Sequence, residues 1–385
     1  MAMQLETNSF VTPRPVALVT YDHPVAGTTV EQRGSAQPLV PIVDVSAWGG
    51  ADGATNDEIA AAVDDACRTV GFMQIVGHGI PTAVIDGLAG AVDWFFALPI
   101  DEKRRSMSPR PSINRGYTPP RSERLSYSLG VVSPDDLFEA FNVGADVVDR
   151  DDPFYANDPH GFFAANVWPP SPAAMRPAVV AYFDEARRVA LELTDVFAVA
   201  LGLTEHWFRP FVDRSTVTMR VIHYERRPDD PPPAPEQMRM GAHTDYGIVT
   251  VLHADPVPGL QIVGPDGGWH DVVPLPGALL VNLGDLTAQW TNDRWRSTLH
   301  RVVPPPADAS GGVLRRSVAF FFDGNYDAVV SCLPTCVSDA QPAKYAPVVA
   351  GEHLMEKVLG PRTLRASAAT DTAGERLRVV TGSAG

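Results

Sequence analysis

Between Asp57 and Val70 apolar residues recur every three or four positions, at Ile59, Val63, Ala66 and Val70, which lines them along one face of a helix. Gly71 follows and stops it. Val40 to Val45 predicts a short strand, and Phe72 to Val76 a second apolar run ending in Gly77-His78-Gly79. Pro81 to Ala97 returns to helical spacing. The longest helical pattern covers Ser171 to Leu201, with Ser171-Pro172 as starters, Val180, Phe183, Val189, Leu193 and Phe197 on the apolar side, and Gly202 closing it.

After Thr216 the pattern changes to short β-prone runs at Val217 to Tyr224, Ile248 to His253, Leu260 to Val263, Ala278 to Leu283, Arg301 to Val303 and Ser317 to Phe322. Many short strands separated by turn residues predict a sandwich or jelly roll. The expectation is a mixed α/β chain with a mainly β core. Residues 1–38 read as an extended segment and 39–170 as an αβ section. Residues 171–362 read as the long helix, the β core and a last helix, and 363–385 as a tail.

Composition narrows the function. With 45% hydrophobic and 20% charged residues over 385 positions, a sizeable buried core is expected. No apolar run reaches 18 residues and no secretory start is evident, so a cytoplasmic, non-membrane protein is expected. A formal charge of -15 argues against a nucleic-acid partner, and the compact basic clusters, Arg226-Arg227 and Arg315-Arg316, are short. Cys67, Cys332 and Cys336 read as structural thiols, with a local Cys332–Cys336 pair as the alternative.

Within the β-rich half lies Gly241-Ala242-His243-Thr244-Asp245-Tyr246-Gly247, where His243 and Asp245 are two apart and project to the same side of an extended backbone. His300, in Ser297-Thr298-Leu299-His300-Arg301-Val302, can join them from a facing strand. Two imidazoles and one carboxylate on one face of a metal leave positions open for a co-substrate and O2, as non-haem Fe(II) oxygenases need. Singly, a His-x-Asp is more often a polar turn and a lone His a satisfied one. The conjunction with Arg315-x-Ser317 at the head of an apolar strand changes that. A guanidinium grips a carboxylate with two parallel hydrogen bonds, and a hydroxyl two residues along adds a third. A 2-oxo acid chelating the metal at one end and held by this anchor at the other gives a site of nearly balanced charge.

With these residues the chain resembles the isopenicillin N synthase-like family of Fe(II)/2-oxoglutarate-dependent dioxygenases, from about Val40 to Leu359. The N-terminal marks are Val40-Pro41-Ile42-Val43-Asp44, Gly71 to Gly79, Phe95-Phe96-Ala97-Leu98-Pro99 and Arg115-Gly116-Tyr117. The C-terminal marks are His243-Thr244-Asp245, Gly259-Leu260-Gln261, Asn282-Leu283-Gly284-Asp285, His300-Arg301-Val302 and Arg315-x-Ser317-x-x-Phe320-Phe321.

The resemblance implies a distorted double-stranded β-helix, a cupin-like jelly roll flanked by helices, with Fe(II) in the barrel mouth and 2-oxoglutarate and O2 as co-substrates. Ascorbate would support turnover. Tyr224 matches a tyrosine that helps bind 2-oxoglutarate, and Arg315 and Ser317 match the residues holding its distal carboxylate. Asn282 and Asp285 match residues with a structural role near the barrel. The chain departs from the pattern in having Tyr224-Glu225 where the family often has Tyr-Pro-Pro, and a longer stretch between His300 and Arg315. His78, His253 and His270 read as structural.

The implied reaction is hydroxylation, desaturation or cyclisation of a small organic molecule, of secondary-metabolite or amino-acid type, with release of succinate and CO2. Substrate contacts are expected from Arg121, Arg124, Arg220, Phe141, Phe322 and Tyr326. Two rival readings stand beside this one: a 2-oxoglutarate-independent iron oxidase of the same fold, and a non-catalytic binding protein on the same barrel. Nothing in the pattern specifies an oligomeric state. Because the ligands must be neutral imidazoles, metal occupancy is expected to fall below about pH 6.5.

Overall fold

The computed structural model describes residues 38–363, except residue 51 and the stretches 111–112, 130–132, 226–229 and 306–313. The segment expected to be extended and the C-terminal tail lie outside the described residues, as do Arg226 and Arg227.

Strand β1 (Ile42–Asp44) leads to α1 (Gly53–Thr69), β2 (Phe72–Val76), α2 (Thr82–Phe96), α3 (Ile100–Arg104), β3 (Gly116–Thr118), β4 (Glu139–Val143) and α4 (Pro153–Ala156). Helix α5 (Met175–Ala200) and the turn α6 (Arg209–Val212) precede the β-rich half. That half holds β5 (Val217–Tyr224), β6 (Met240–His243), β7 (Val249–Ala254), β8 (Leu260–Val263), β9 (Trp269–Asp271) and β10 (Leu279–Leu283). It continues with α7 (Asp285–Trp290), β11 (His300–Val302), β12 (Arg315–Phe322), β13 (Val329–Val330), β14 (Val348–Val349) and α8 (Ala350–Thr363).

Helix α1 begins four residues ahead of the predicted start because the Asp52 side chain caps it, accepting from the Ala54 amide at 3.1 Å. Gly71 ends it at φ +70, where a Cβ would also run into the Arg296 carbonyl, so only glycine serves there. Helix α5 starts at Met175, not Ser171; Pro177 then falls in its first turn, where no amide hydrogen is needed. Its buried stripe is Val179, Tyr182, Phe183, Ala186, Val189, Ala190, Leu193 and Phe197, and Val180 is only half buried.

Eight strands form one sheet in the order β1-β2-β10-β7-β12-β5-β4-β3, and β6-β11-β8-β9 form a second. The larger sheet packs one face on α1, α2 and α5 through Val63, Phe95, Phe183, Val251 and Phe320, among others. Its other face meets the smaller sheet through Phe72, Ile222, Leu280, Ile262 and Val302. This is the expected jelly roll with flanking helices. The described residues from Pro38 onward form one compact unit.

Alternation along each strand therefore assigns side chains to one of two interiors. On β12, Val318, Phe320 and Phe322 enter the helix-covered core, while Arg315, Ser317, Ala319 and Phe321 face the space between the sheets. Register carries that division across the sheet: Arg315 pairs with Tyr224, Ser317 with Ile222, Ala319 with Arg220 and Phe321 with Thr218. A buried ion pair, Lys103 Nζ to Glu139 at 2.7 Å, ties α3 to β4, with the Tyr117 hydroxyl donating to the same carboxylate.

Candidate active site

Strands β6 and β11 are antiparallel neighbours, and their register sets His243 directly opposite His300. The two ring centroids are 4.3 Å apart. Asp245 follows β6 by two residues and presents Oδ1 to both rings, 3.9 Å from His243 Nε2 and 3.7 Å from His300 Nε2. These are the potential metal-ligand atoms of the cluster, all within 4.8 Å of one another. His243 Nδ1 donates to the Gly241 carbonyl at 2.8 Å and His300 Nδ1 to the Thr298 carbonyl at 3.0 Å. Those bonds select the tautomer that leaves each Nε2 lone pair free for a metal.

The second carboxylate oxygen of Asp245 is held from outside, by the Thr250 hydroxyl and by Asn282 Nδ2 at 2.6 Å. The Asp285 amide donates to the Asp245 carbonyl at 2.8 Å, and Gly284 packs so closely on Gly247 that a Cβ would meet its backbone. Asn282-Leu283-Gly284-Asp285 is thus a clamp on the ligand-bearing turn. Helix α8 braces it, Lys357 reaching Asp285 at 2.7 Å and His353 the Tyr246 carbonyl at 3.2 Å.

Burial, with His300 alongside, pushes His243 down to about 4 against the opposing pull of Asp245. Burial would raise Asp245, but the two imidazoles and the bonds from Thr250 and Asn282 hold it below its ordinary value. The triad is therefore ready to take a cation at neutral pH without first losing a proton from His243.

One cavity, about 820 Å3, contains this triad together with Arg315, Ser317 and Tyr224. Arg315 is 1% exposed, and its Nε and Nη1 have no hydrogen-bond partner among the described residues. Its guanidinium lies 5.3 Å from the Tyr224 ring centroid, and burial lowers its pKa from the ordinary value. A buried guanidinium left with idle donors is costly and is what an incoming carboxylate would satisfy. The donor set fits Fe(II), and the idle guanidinium fits a dicarboxylate co-substrate.

Known proteins resemble the chain along most of its length. Residues 40–171 match the family described as non-haem dioxygenase in morphine synthesis N-terminal, and residues 216–324 match the 2OG-Fe(II) oxygenase superfamily. A 2-oxoglutarate-Fe(II) type oxidoreductase, hxnY, of Emericella nidulans is 36% identical over 80% of this chain and 86% of its own length. The chain belongs to the 2OG-Fe(II) oxygenase superfamily. Validamycin A dioxygenase of Streptomyces hygroscopicus subsp. limoneus is 35% identical over 83% of this chain and 85% of that protein. Full-length T7H of Neurospora crassa, solved in complex with alpha-KG, superposes with a TM-score of 0.71 at 28% identity, covering 83% of this chain and 95% of that one.

The oxygenase is thus a 2-oxoglutarate-dependent Fe(II) enzyme acting on a small molecule. The relatives give nothing to the 2-oxoglutarate-independent oxidase or to the non-catalytic binder. No described helix is long and apolar enough to cross a membrane.

The structure sorts the sequence-based substrate residues. Arg121, Arg124 and Arg220 all line the cavity. Arg124 ion-pairs with Asp135, and Arg220 Nη2 lies 2.9 Å from Glu123. That second pair is close but misaligned, so Arg220 Nε and Nη2 lack well-formed hydrogen bonds. Phe141 and Phe322 do not reach the cavity. Phe141 pairs with Val221 and packs on Phe95 and Trp168, and Phe322 is buried beside Phe320. Both sit on the core-facing parity of their strands.

Tyr326 is likewise outside the lining; it stacks on Phe154 and donates its hydroxyl to the Phe154 carbonyl at 2.9 Å. Among the lining residues missed are Phe321 and Asp323 on β12 parity, His160 and Phe162, and Leu354, Met355 and Val358 of α8. Counting in twos from Arg315 reaches Phe321 and Asp323, so that part was available in the sequence. His78 is a satisfied core residue, bonded to Gly277 and Ile80, and His270 pairs with Asp266 at the surface. Cys332 and Cys336 are free thiols, so the alternative of a local disulfide fails.

Proposed function

We propose that His243, Asp245 and His300 hold Fe(II), and that Arg315, Ser317 and Tyr224 take the distal carboxylate of 2-oxoglutarate. The observation that carries this reading is Arg315, buried with two idle nitrogens in the cavity that also holds the triad. Fe(II) with 2-oxoglutarate and O2 supplies the oxidising power to remove a hydrogen atom from the substrate, with succinate and CO2 as by-products. This chain's residues do the rest. Gly241 and Thr298 hold the imidazole protons at Nδ1, Thr250 and Asn282 fix the carboxylate, and the apolar walls Phe72, Leu252 and Leu260 exclude water.

For the substrate we propose a polar small molecule engaged by Arg220, the best buried of the three candidate cations at 8% exposure. Relatives named for validamycin A and for homoarginine support a molecule rich in hydrogen-bonding groups. The three free thiols accord with a cytoplasmic setting. We further read residues 39–170 and 171–362 as two sections of one catalytic domain.

Anaerobic titration of the Fe(II)-loaded protein with 2-oxoglutarate tests the site. A weak visible metal-to-ligand charge-transfer band is expected in the wild type and not in His243→Ala. A band that persists in His243→Ala would overturn the ligand assignment.

A further inference from the structure

Asp323 stands one step beyond the last residue of β12, on the same parity as Arg315, Ser317, Ala319 and Phe321, and lines the same cavity. It is 9% exposed. Its carboxyl lies directly over Gly247, where a Cβ would coincide with its Oδ1, so the glycine of the His243-Thr244-Asp245-Tyr246-Gly247 turn is what gives the acid its place. Among the described residues no side chain donates to it and no cation faces it. The one donor is the Ile248 amide, which it shares with the Phe322 carbonyl at 3.2 Å. Burial, then the neighbouring Asp245, pushes it up to about 7.

A buried carboxyl whose one donor is a shared backbone amide is under-satisfied, which is expensive. The nearby carboxylate of Asp245, by contrast, takes side-chain donors from Thr250 and Asn282. The cost at Asp323 is explained if the missing donor arrives with the substrate. We propose that Asp323 is a specificity-determining residue of this oxygenase, accepting a hydrogen bond from an N–H or O–H group of the substrate and so orienting it beside the Asp245 side of the triad. This deepens the site assignment above and rests on it. At one end of the cavity β12 offers a cation for the co-substrate's carboxylate, at the other a carboxyl oxygen for a donor group of the substrate, which sets the two ligands apart.

The test uses the anaerobic Fe(II)·2-oxoglutarate protein and three probes built on one ring: cyclohexylamine, cyclohexanol and cyclohexanecarboxylate. Binding is read by calorimetry and by perturbation of the charge-transfer band. In the wild type the amine or the alcohol is expected to bind about tenfold tighter than the carboxylate, as one added hydrogen bond implies. Asp323→Asn and Asp323→Ala separate the sources. An ammonium partner loses its advantage in both variants, whereas a hydroxyl partner keeps it in Asn and loses it in Ala. The band itself and the affinity for 2-oxoglutarate are expected to stay unchanged in both.

Binding of no probe, preference for the carboxylate, or the same ranking in Asp323→Ala would overturn the proposal while leaving the iron and 2-oxoglutarate assignments intact. Failure of the band in the wild type would instead remove the assignments on which the proposal rests.

Discussion

At the scale of single residues the site depends on side chains that never touch the reacting atoms. Thr250 and Asn282 occupy Asp245 Oδ2 and leave Oδ1 to the imidazoles. Asn282→Ala is therefore expected to weaken metal binding roughly 10- to 100-fold, measured by Co(II) or Fe(II) titration, with little change in fold. Arg315→Ala is expected chiefly to raise the 2-oxoglutarate concentration needed for the charge-transfer band. Arg315→Lys should rescue it poorly, since an ammonium is a point charge and not a fork.

Asp323 gives a pH signature of its own. Its carboxyl is raised to about 7, above the ordinary value of 3.8, so the native state binds the extra proton between those two pH values. Stability contributed by this group is present at low pH and lost as pH rises towards 7. Asp323→Asn should thus raise the Tm of the metal-free protein by several degrees at pH 8, with the gain shrinking towards pH 4. His243 has the opposite sign: lowered to about 4, it favours the unfolded state as pH falls from 6.5 towards 4. A Tm gain in Asp323→Asn that did not vary with pH would show the carboxyl to be already satisfied.

At the scale of elements, strands were more legible than helix ends. Val217–Tyr224 and Leu260–Val263 fall where the pattern of β-prone residues puts them, because these strands are buried along most of their length. The start of α1 was missed because a side-chain cap, Asp52, decides it and not the apolar stripe. The triad was legible because His243, at the end of β6, and Asp245, just beyond it, are two apart in sequence, and β11 lies opposite. Phe141 and Phe322 were misread because an aromatic near a motif says nothing about which face it takes; the register with β5 says it. The contribution of α8 was not legible at all, since Leu354, Met355 and Val358 reach the cavity only through tertiary packing.

The clamp between α7 and the ligand turn supplies a further test. Gly284→Ala would drive a methyl into the Gly247 backbone, with an expected cost of about 2 kcal/mol and a lowered Tm. Metal should bind more weakly in the same variant.

At the scale of the molecule, the N-terminal section and the jelly roll share one core. Val63 of α1 and Phe95 of α2 belong to the same buried cluster as Val251 of β7 and Phe320 of β12. Neither section has a hydrophobic interior it could keep alone. Unfolding in urea is therefore expected to be a single transition, with far-ultraviolet circular dichroism and tryptophan fluorescence coinciding. Two separated transitions would show that residues 39–170 are an autonomous unit. The negative net charge and a sizeable buried core were readable in outline from composition. The enclosure of the cavity was not, since it needs both sheets and α8 in place.

The division of β12 into two faces bears on how such an enzyme can change. Its even-numbered residues, Val318, Phe320 and Phe322, answer to the helices behind the sheet, and its odd-numbered ones to whatever enters the cavity. Selection on substrate can therefore rewrite Ala319, Phe321 and Asp323 while selection on folding holds their neighbours fixed. Adjacent positions along this stretch are thus free to drift at different rates, and a library confined to Ala319, Phe321 and Asp323 would sample new chemistry from an intact scaffold.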